Sequence, residues 1–351
     1  MRIFVINPGS TSSKFAVFDE EVKAASGTVS YSREALKNYR SIYDQLELRI
    51  EGMFQFLREK GIDPESLDAV AARGGMMPPL KAGAYKVDEN LCHVTRYEPA
   101  GLHASNLGAL MAHELSKRYD IPAYIYDAVS TDEMIPEARL SGIRTWPRKA
   151  FSHALNTRAM ARRYAASKGK RIEDLTLICA HLGGGISLNL QHRGRMIDTV
   201  AGQEGPFSTE RAGALDCFDC ADIAEKEGID QLRRYQIGDG GFVSYLGTND
   251  ARAVEEMVEK GNAEAREVMT AMGLQVAKYI LQLAADVNGQ VDGIILTGGM
   301  AYWDDLCKEV ERRVSFLAPV TRYPGEVEME ALAEGVLRVL KGEEEAHQLD
   351  S

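Results

Sequence analysis

The chain has 351 residues, 45% hydrophobic and 26% charged, with a formal net charge of −11. That length fits two domains with ordinary cores. An acidic balance of this size argues against broad binding to nucleic acid or an anionic membrane, but leaves room for a small anion held by a few local arginines.

The first predicted strand is Ile3-Phe4-Val5-Ile6, which stops at Asn7-Pro8-Gly9. Ser10-Thr11-Ser12-Ser13 and Lys14 follow, then a second apolar run to Asp19, so the segment reads strand, glycine turn, strand. The opening apolar run is too short for a signal-peptide core, and no stretch reads as a membrane-spanning helix, so a cytoplasmic protein is expected. Glycine turns expose backbone N–H groups that suit phosphate oxygens, and the hydroxyls and Lys14 add donors and charge. This is not the usual P-loop, because the lysine follows the hydroxyls and no helix pattern begins. Such turns also serve as plain hairpin connections.

Arg73 follows the apolar stretch 67–72 and precedes Gly74-Gly75. Guanidinium groups grip carboxylates and phosphates bidentately, although a lone arginine often makes only a surface ion pair. A helix is predicted over about residues 104–119, with Leu107, Leu110, Met111 and Leu115 on one face. Asp127 ends the run "IPAYIYD", either at the ligand-bearing edge of a sheet or as a cap. His153 in "AFSHALN" reads as a phosphate donor or a helix-start residue.

The opening pattern recurs about half the chain later. Leu177–Ala180 is a strand, His181-Leu182-Gly183-Gly184-Gly185 a turn, and Ile186, Leu188 and Leu190 alternate along a second strand. Gly194 closes a further hairpin with "RMIDTV". His181 is either catalytic or packed. Two distant, similar units suggest two domains of like design. Arg211 lies in the glycine- and proline-bearing loop "PFSTERAGALD". "CFDC", Cys217 to Cys220, has the spacing of half a metal site, but five scattered cysteines read better as reduced thiols. A long helix starts near the N-cap Asn262 and stops at Asn288-Gly289. A third glycine turn, Gly298-Gly299, ends the strand in "VDGIILTGGMA". The last helix covers about residues 328–341, and the polar ending "KGEEEAHQLDS" is expected to fray. Strands alternating with helices make an α/β protein.

Taken together, "NPGSTSSK", "HLGGG" with Ser187, and "LTGG" resemble the two phosphate motifs and the adenosine motif of the acetate and butyrate kinases. These belong with the sugar kinases, actin and the chaperone ATPases. "RGG" at Arg73, "YDAV" at Asp127, "FSHALN" at His153 and the Arg211 loop fall in the same order, so the resemblance spans the chain. "FSHALN" in place of "FHGTSH", and "HLGGG" in place of "HLGNG", point to the butyrate branch. "MMPPLKAG", residues 76–83, departs from that branch beside Arg73 and leaves the preferred acid open.

The resemblance implies two domains, each a mixed five-stranded sheet flanked by helices, with nucleotide in the cleft between them. Residues 1–130 with the C-terminal helix 329–351 would form one, and 131–328 the other. It implies that Asn7, Ser10, Ser12 and Lys14 line the phosphate from the first domain. His181, Gly183, Gly184, Gly185 and Ser187 line it from the second, with Gly298 and Gly299 against the adenosine. Arg73 and Arg211 would hold the carboxylate and the phosphoryl group, His153 would donate to that group, and Asp127 would position an arginine or the metal. Glu330, with Glu328 as the alternative, would be the Mg²⁺-associated residue, together with Asn7. The implied reaction is reversible transfer from ATP to a short-chain carboxylate, giving acyl phosphate and ADP, by a homodimer or larger assembly. An actin- or chaperone-like ATPase and a sugar kinase with Asp127 as base are the competing expectations.

Overall fold

Short runs of Ile, Val and Ala with no polar alternation suit strands covered by helices on both faces. The computed structural model, which describes residues 1–349, has two mixed sheets of that kind, in two compact units.

The first unit comprises Met1–Thr131 and the chain from Val327 onward. Its strands are β1 (Arg2–Pro8), β2 (Ser12–Asp19), β3 (Val22–Ser30), β4 (Ala69–Arg73), β5 (Ala84–Lys86) and β6 (Ala123–Tyr126). They are ordered β3-β2-β1-β4-β6-β5. The centre, β1, β4 and β6, is parallel, and β2, β3 and β5 add on antiparallel. Helices Leu46–Glu59, Asn106–Tyr119 and Glu328–Leu340 pack on this sheet. Phe4, Phe15 and Phe56 form its aromatic centre, with ring centroids 5.4–6.1 Å apart. Six strands replace the expected five: β5 is three residues long, too short to carry an alternation signal.

The second unit is Asp132–Glu326. Its strands are β7 (Thr176–His181), β8 (Ser187–His192), β9 (Arg195–Val200), β10 (Gly293–Gly298) and β11 (Val320–Pro324), ordered β11-β10-β7-β8-β9. β10 is parallel to β7 and β11, while β8 and β9 are antiparallel additions. Arg193 and Gly194 both take positive φ, 50° and 80°, as a two-residue hairpin turn requires.

The long helix runs Ala263–Ala284, and its Asn262 cap accepts the Ala265 N–H at 3.0 Å. It ends at Asn288 and Gly289, both left-handed. Contrary to the expectation that no stretch reaches membrane-spanning length, one helix does. Residues 263–287 are long enough, and an 18-residue stretch within them has a mean hydropathy of 1.2. Val268, Met272, Val276, Ile280 and Leu283 are buried in the core of this unit, so the helix faces its own sheet.

The fraying expected of the C-terminal segment is also corrected over the described residues. His347 exchanges backbone hydrogen bonds with Ala84 and Lys86, 2.8 and 2.9 Å, and so pairs with the edge strand β5. The Glu344 carboxylate accepts from the Tyr126 hydroxyl at 2.7 Å and from Arg338 at 3.2 Å. Polar composition hid a segment held by hydrogen bonds rather than by apolar burial. All five cysteines are free thiols. Burial pushes Cys92 and Cys179 up to about 12 and Cys307 to about 11. Among the described residues no group of three or more His, Cys, Asp or Glu is arranged to hold a metal.

Candidate active site

In the first unit the strand ends bring three predicted residues and one alternative together. Asn7 lies near the end of β1 and pairs across the hairpin with Lys14 on β2. Arg73 is the last residue of β4, and Glu328 opens the final helix. The Arg73 guanidinium meets the Glu328 carboxylate twice, Nη1 to Oε2 and Nη2 to Oε1, each at 3.1 Å. The Asn7 amide donates to Glu328 Oε2 at 2.8 Å, and its carbonyl oxygen accepts from Arg73 at 3.4 Å. Glu330 lies elsewhere, ion-paired with Lys23 at 2.6 Å. The geometry therefore favours Glu328 over Glu330 beside Asn7. On a helix the two residues differ by about 200° around the axis, so they face opposite ways.

Ser10 and Lys14 are exposed and Ser12 is half-buried along the first turn. Asp127 is buried just past β6 with a positive φ of 39°. Its Oδ1 accepts the Gly83 N–H at 2.8 Å, and its own N–H donates to Gly83 O at 3.1 Å. This fastens the end of the 76–83 loop and gives Asp127 a loop-holding role.

In the second unit His153 is the residue before helix Ala154–Ser167. Ser187 Oγ lies 2.8 Å from its Nδ1 and accepts its backbone N–H at 3.2 Å. The His153 ring stacks on His181, centroids 3.8 Å apart and planes 10° from parallel. Asn156 donates to His181 Nδ1 at 3.1 Å, which assigns the proton of the neutral ring to Nε2. That nitrogen faces Glu326 at 3.4 Å.

The glycine turns after β7 and β10 are laced together. Leu182 N–H donates to Thr297 O at 2.8 Å, and Met300 N–H to Leu182 O at 2.9 Å. Gly298 has φ +88°, and a Cβ there would lie 2.4 Å from Leu182 O, so both conformation and space demand glycine. Arg211 lies on the first of these turns: a Cβ on Gly185 would sit 2.7 Å from its Nη1. Its Nε is buried without an acceptor among the described residues. A cavity of about 570 Å³ opens beside these turns, lined by Gly183, Gly184, Gly299, Glu210, Asn249 and Tyr302. A larger one of about 640 Å³, near Phe207 and Tyr245, holds none of the predicted site residues.

Sequence reasoning missed Glu210, Asn249 and Tyr302. It also missed Arg49, a fully buried arginine behind the first turn. One signal existed: Arg49 shares a helix face with the buried Met53, Phe56 and Leu57, where a charge is out of place.

Two mixed sheets with glycine turns at their strand ends define an α/β fold of the sugar kinase and actin type. The crystal structure of Porphyromonas gingivalis acetate kinase matches it with a TM-score of 0.81 at 17% identity, covering 97% of this chain and 99% of that one. The acetokinase family model matches residues 135–316. Butyrate kinase 2 of Clostridium acetobutylicum is 44% identical over 349 residues, 98% of each chain. A probable butyrate kinase 2 of Caldanaerobacter subterraneus is 42% identical over 346 residues, again 98% of each. The chain belongs to the acetokinase family, and its class is that of the ATP-dependent carboxylate kinases.

Proposed function

We propose that the protein transfers the γ-phosphate of ATP directly to butyrate or a branched acid such as isobutyrate, reversibly, giving acyl phosphate and ADP. The observation that carries this reading is the Arg211 guanidinium seated on the Gly185 turn with a buried N–H to spare. It is a fixed cation where an anion would meet backbone donors.

The chemistry suits a site of cations rather than bases. A carboxylate nucleophile with an ordinary pKa of roughly 4–5 is already ionised at neutral pH, so no group need remove a proton. Its oxygen forms the new P–O bond as the bond to the leaving ADP oxygen breaks. In the second unit Arg211 and His153 would stabilise the equatorial oxygens, with His153 held by Ser187 and stacked on His181. Gly183, Gly184 and Gly185 would supply backbone donors, and Gly298 and Gly299 would border the adenosine. In the first unit Arg73 would hold the acid's carboxylate, and Asn7, Ser10, Ser12 and Lys14 the phosphate.

Mg²⁺, typical of this family, would neutralise phosphate charge. Glu328 with Asn7 is a fitting holder, because a hard ion bound mainly by water and phosphate needs only one or two protein oxygens. The sugar-kinase reading is not favoured by the relatives, which are butyrate kinases, and Asp127 Oδ1 is engaged by the Gly83 N–H.

The protein is further read as a cytoplasmic homodimer or larger assembly needing neither nucleic acid nor membrane. Exposed Phe218, Ile229 and Ile237 in the second unit support association. The functional test is acyl hydroxamate formation from ATP and hydroxylamine across linear and branched acids. Acid-dependent product with highest kcat/KM on four-carbon acids is expected. ATP consumption indifferent to acid, or a stable phosphoenzyme, would overturn direct transfer.

A further inference from the structure

Arg49 has no exposed surface. Its Nη1 donates to Gly9 O at 2.9 Å, Ser12 O at 3.2 Å and Ser13 Oγ at 3.3 Å. Its Nη2 donates to Ser10 O at 3.0 Å and Gln45 Oε1 at 2.9 Å, and Nε donates to that same oxygen at 3.2 Å. The guanidinium lies 4.9 Å over the Tyr31 ring, whose backbone N–H donates to Thr11 O at 2.9 Å. Ser12 O also accepts the Gly9 N–H at 2.7 Å. Every carbonyl from Gly9 to Ser12 is therefore drawn toward protein donors, three of them by one side chain.

None of these hydrogen-bond partners is a carboxylate, so the buried charge is balanced by carbonyl dipoles, the Ser13 hydroxyl and the Tyr31 ring face. A planar trans peptide points its N–H opposite to its C=O. Drawing in Gly9 O and Ser10 O therefore turns the Ser10 and Thr11 N–H groups outward, beside two exposed hydroxyls. The same guanidinium places a full positive charge directly behind the turn.

We propose that Arg49 is a positioning residue for phosphoryl transfer: it folds the 9–12 backbone around its guanidinium so that the turn presents donors, not carbonyls, to the transferred phosphate. This rests on the reading of that turn as a phosphate site. Arg49 touches no substrate. A lysine cannot reproduce the fork, since three N–H groups from one point cannot reach carbonyls spread along a turn.

The test uses Arg49→Lys and Gln45→Met, with Asn7→Ala and Lys14→Ala alongside. Rates are normalised to the folded fraction from thermal melts. Arg49→Lys is expected to lower kcat per folded molecule roughly tenfold to a hundredfold, as a small misplacement of donors does. KM for the acid should stay nearly unchanged, and Gln45→Met should give a smaller effect of the same kind. If both leave kcat per folded molecule unchanged while Asn7→Ala or Lys14→Ala lowers it, Arg49 is only a strut and the proposal fails. If all four leave it unchanged, the phosphate-turn reading itself fails, and the proposal with it. Should Arg49→Lys not fold, Gln45→Met alone decides: a normal rate refutes the proposal and a lowered kcat at constant KM supports it.

Discussion

Glu328 and Glu330 stand two residues apart on one helix and meet different fates. Glu328 is shared by Arg73 and Asn7, while Glu330 is spent on a half-exposed pair with Lys23. On the proposed Mg²⁺ role, Glu328→Gln should lower activity roughly tenfold to a hundredfold and raise the Mg²⁺ needed for half-maximal rate. Glu330→Gln loses a pair of about 0–1 kcal/mol and should leave kcat near normal. Titrating Mg²⁺ against rate for both variants decides the assignment. Arg211→Ala should cut kcat by about 10²–10³, the usual loss for one preorganised donor to developing charge. Unchanged near-UV circular dichroism would show that the loss is chemical. A near-normal rate would remove Arg211 from the site.

At the scale of elements, the turn at the end of β10 offers a paired test. Gly298 has a left-handed φ and no room for a methyl, whereas a Cβ on Gly299 meets nothing within 4 Å. Gly298→Ala should cost about 1–3 kcal/mol in strain, with more from the clash, and lower the melting temperature. Gly299→Ala should melt like the parent and show any defect in KM for ATP. Equal melting temperatures would contradict the geometry. These turns were legible because a strand ending in consecutive glycines leaves few other readings. The long helix was legible for the same kind of reason: Asn262 and Asn288-Gly289 bracket a 3.6-residue period. The Gln45–Arg49–Tyr31 cluster was legible only in part: the apolar face of helix Leu46–Glu59 marks Arg49 as out of place, but its partners emerge only once three segments converge on it. Glu328 and Glu330 were both visible, but only helix phase separates them. Helices Cys217–Lys226 and Ile229–Gln236, which bury no residue, were not read from the sequence.

At the scale of the whole molecule, acidity acts through one buried carboxyl. Burial pushes Asp198 up to about 6, with the neighbouring Asp286 adding to the rise and Arg148, at 3.0 Å, opposing it. The folded state thus holds this proton more tightly than the unfolded chain. The contribution is fully present below the ordinary aspartate pKa and lost as pH rises through about 6. Removing the like charge with Asp286→Asn should raise the melting temperature more at pH 8 than at pH 5. A pH-independent change would refute the coupling. The pairing of His347 with β5 has a consequence of its own. A sheet's outermost strand offers unsatisfied backbone groups to any other chain that drifts past, and here the protein's own ending occupies them. Cutting the chain after Gly342 should leave the enzyme prone to clumping on storage, visible as rising light scattering before any loss of helical signal. A bulky fusion joined directly after His347 should act in the same direction, whereas one at the amino end should not.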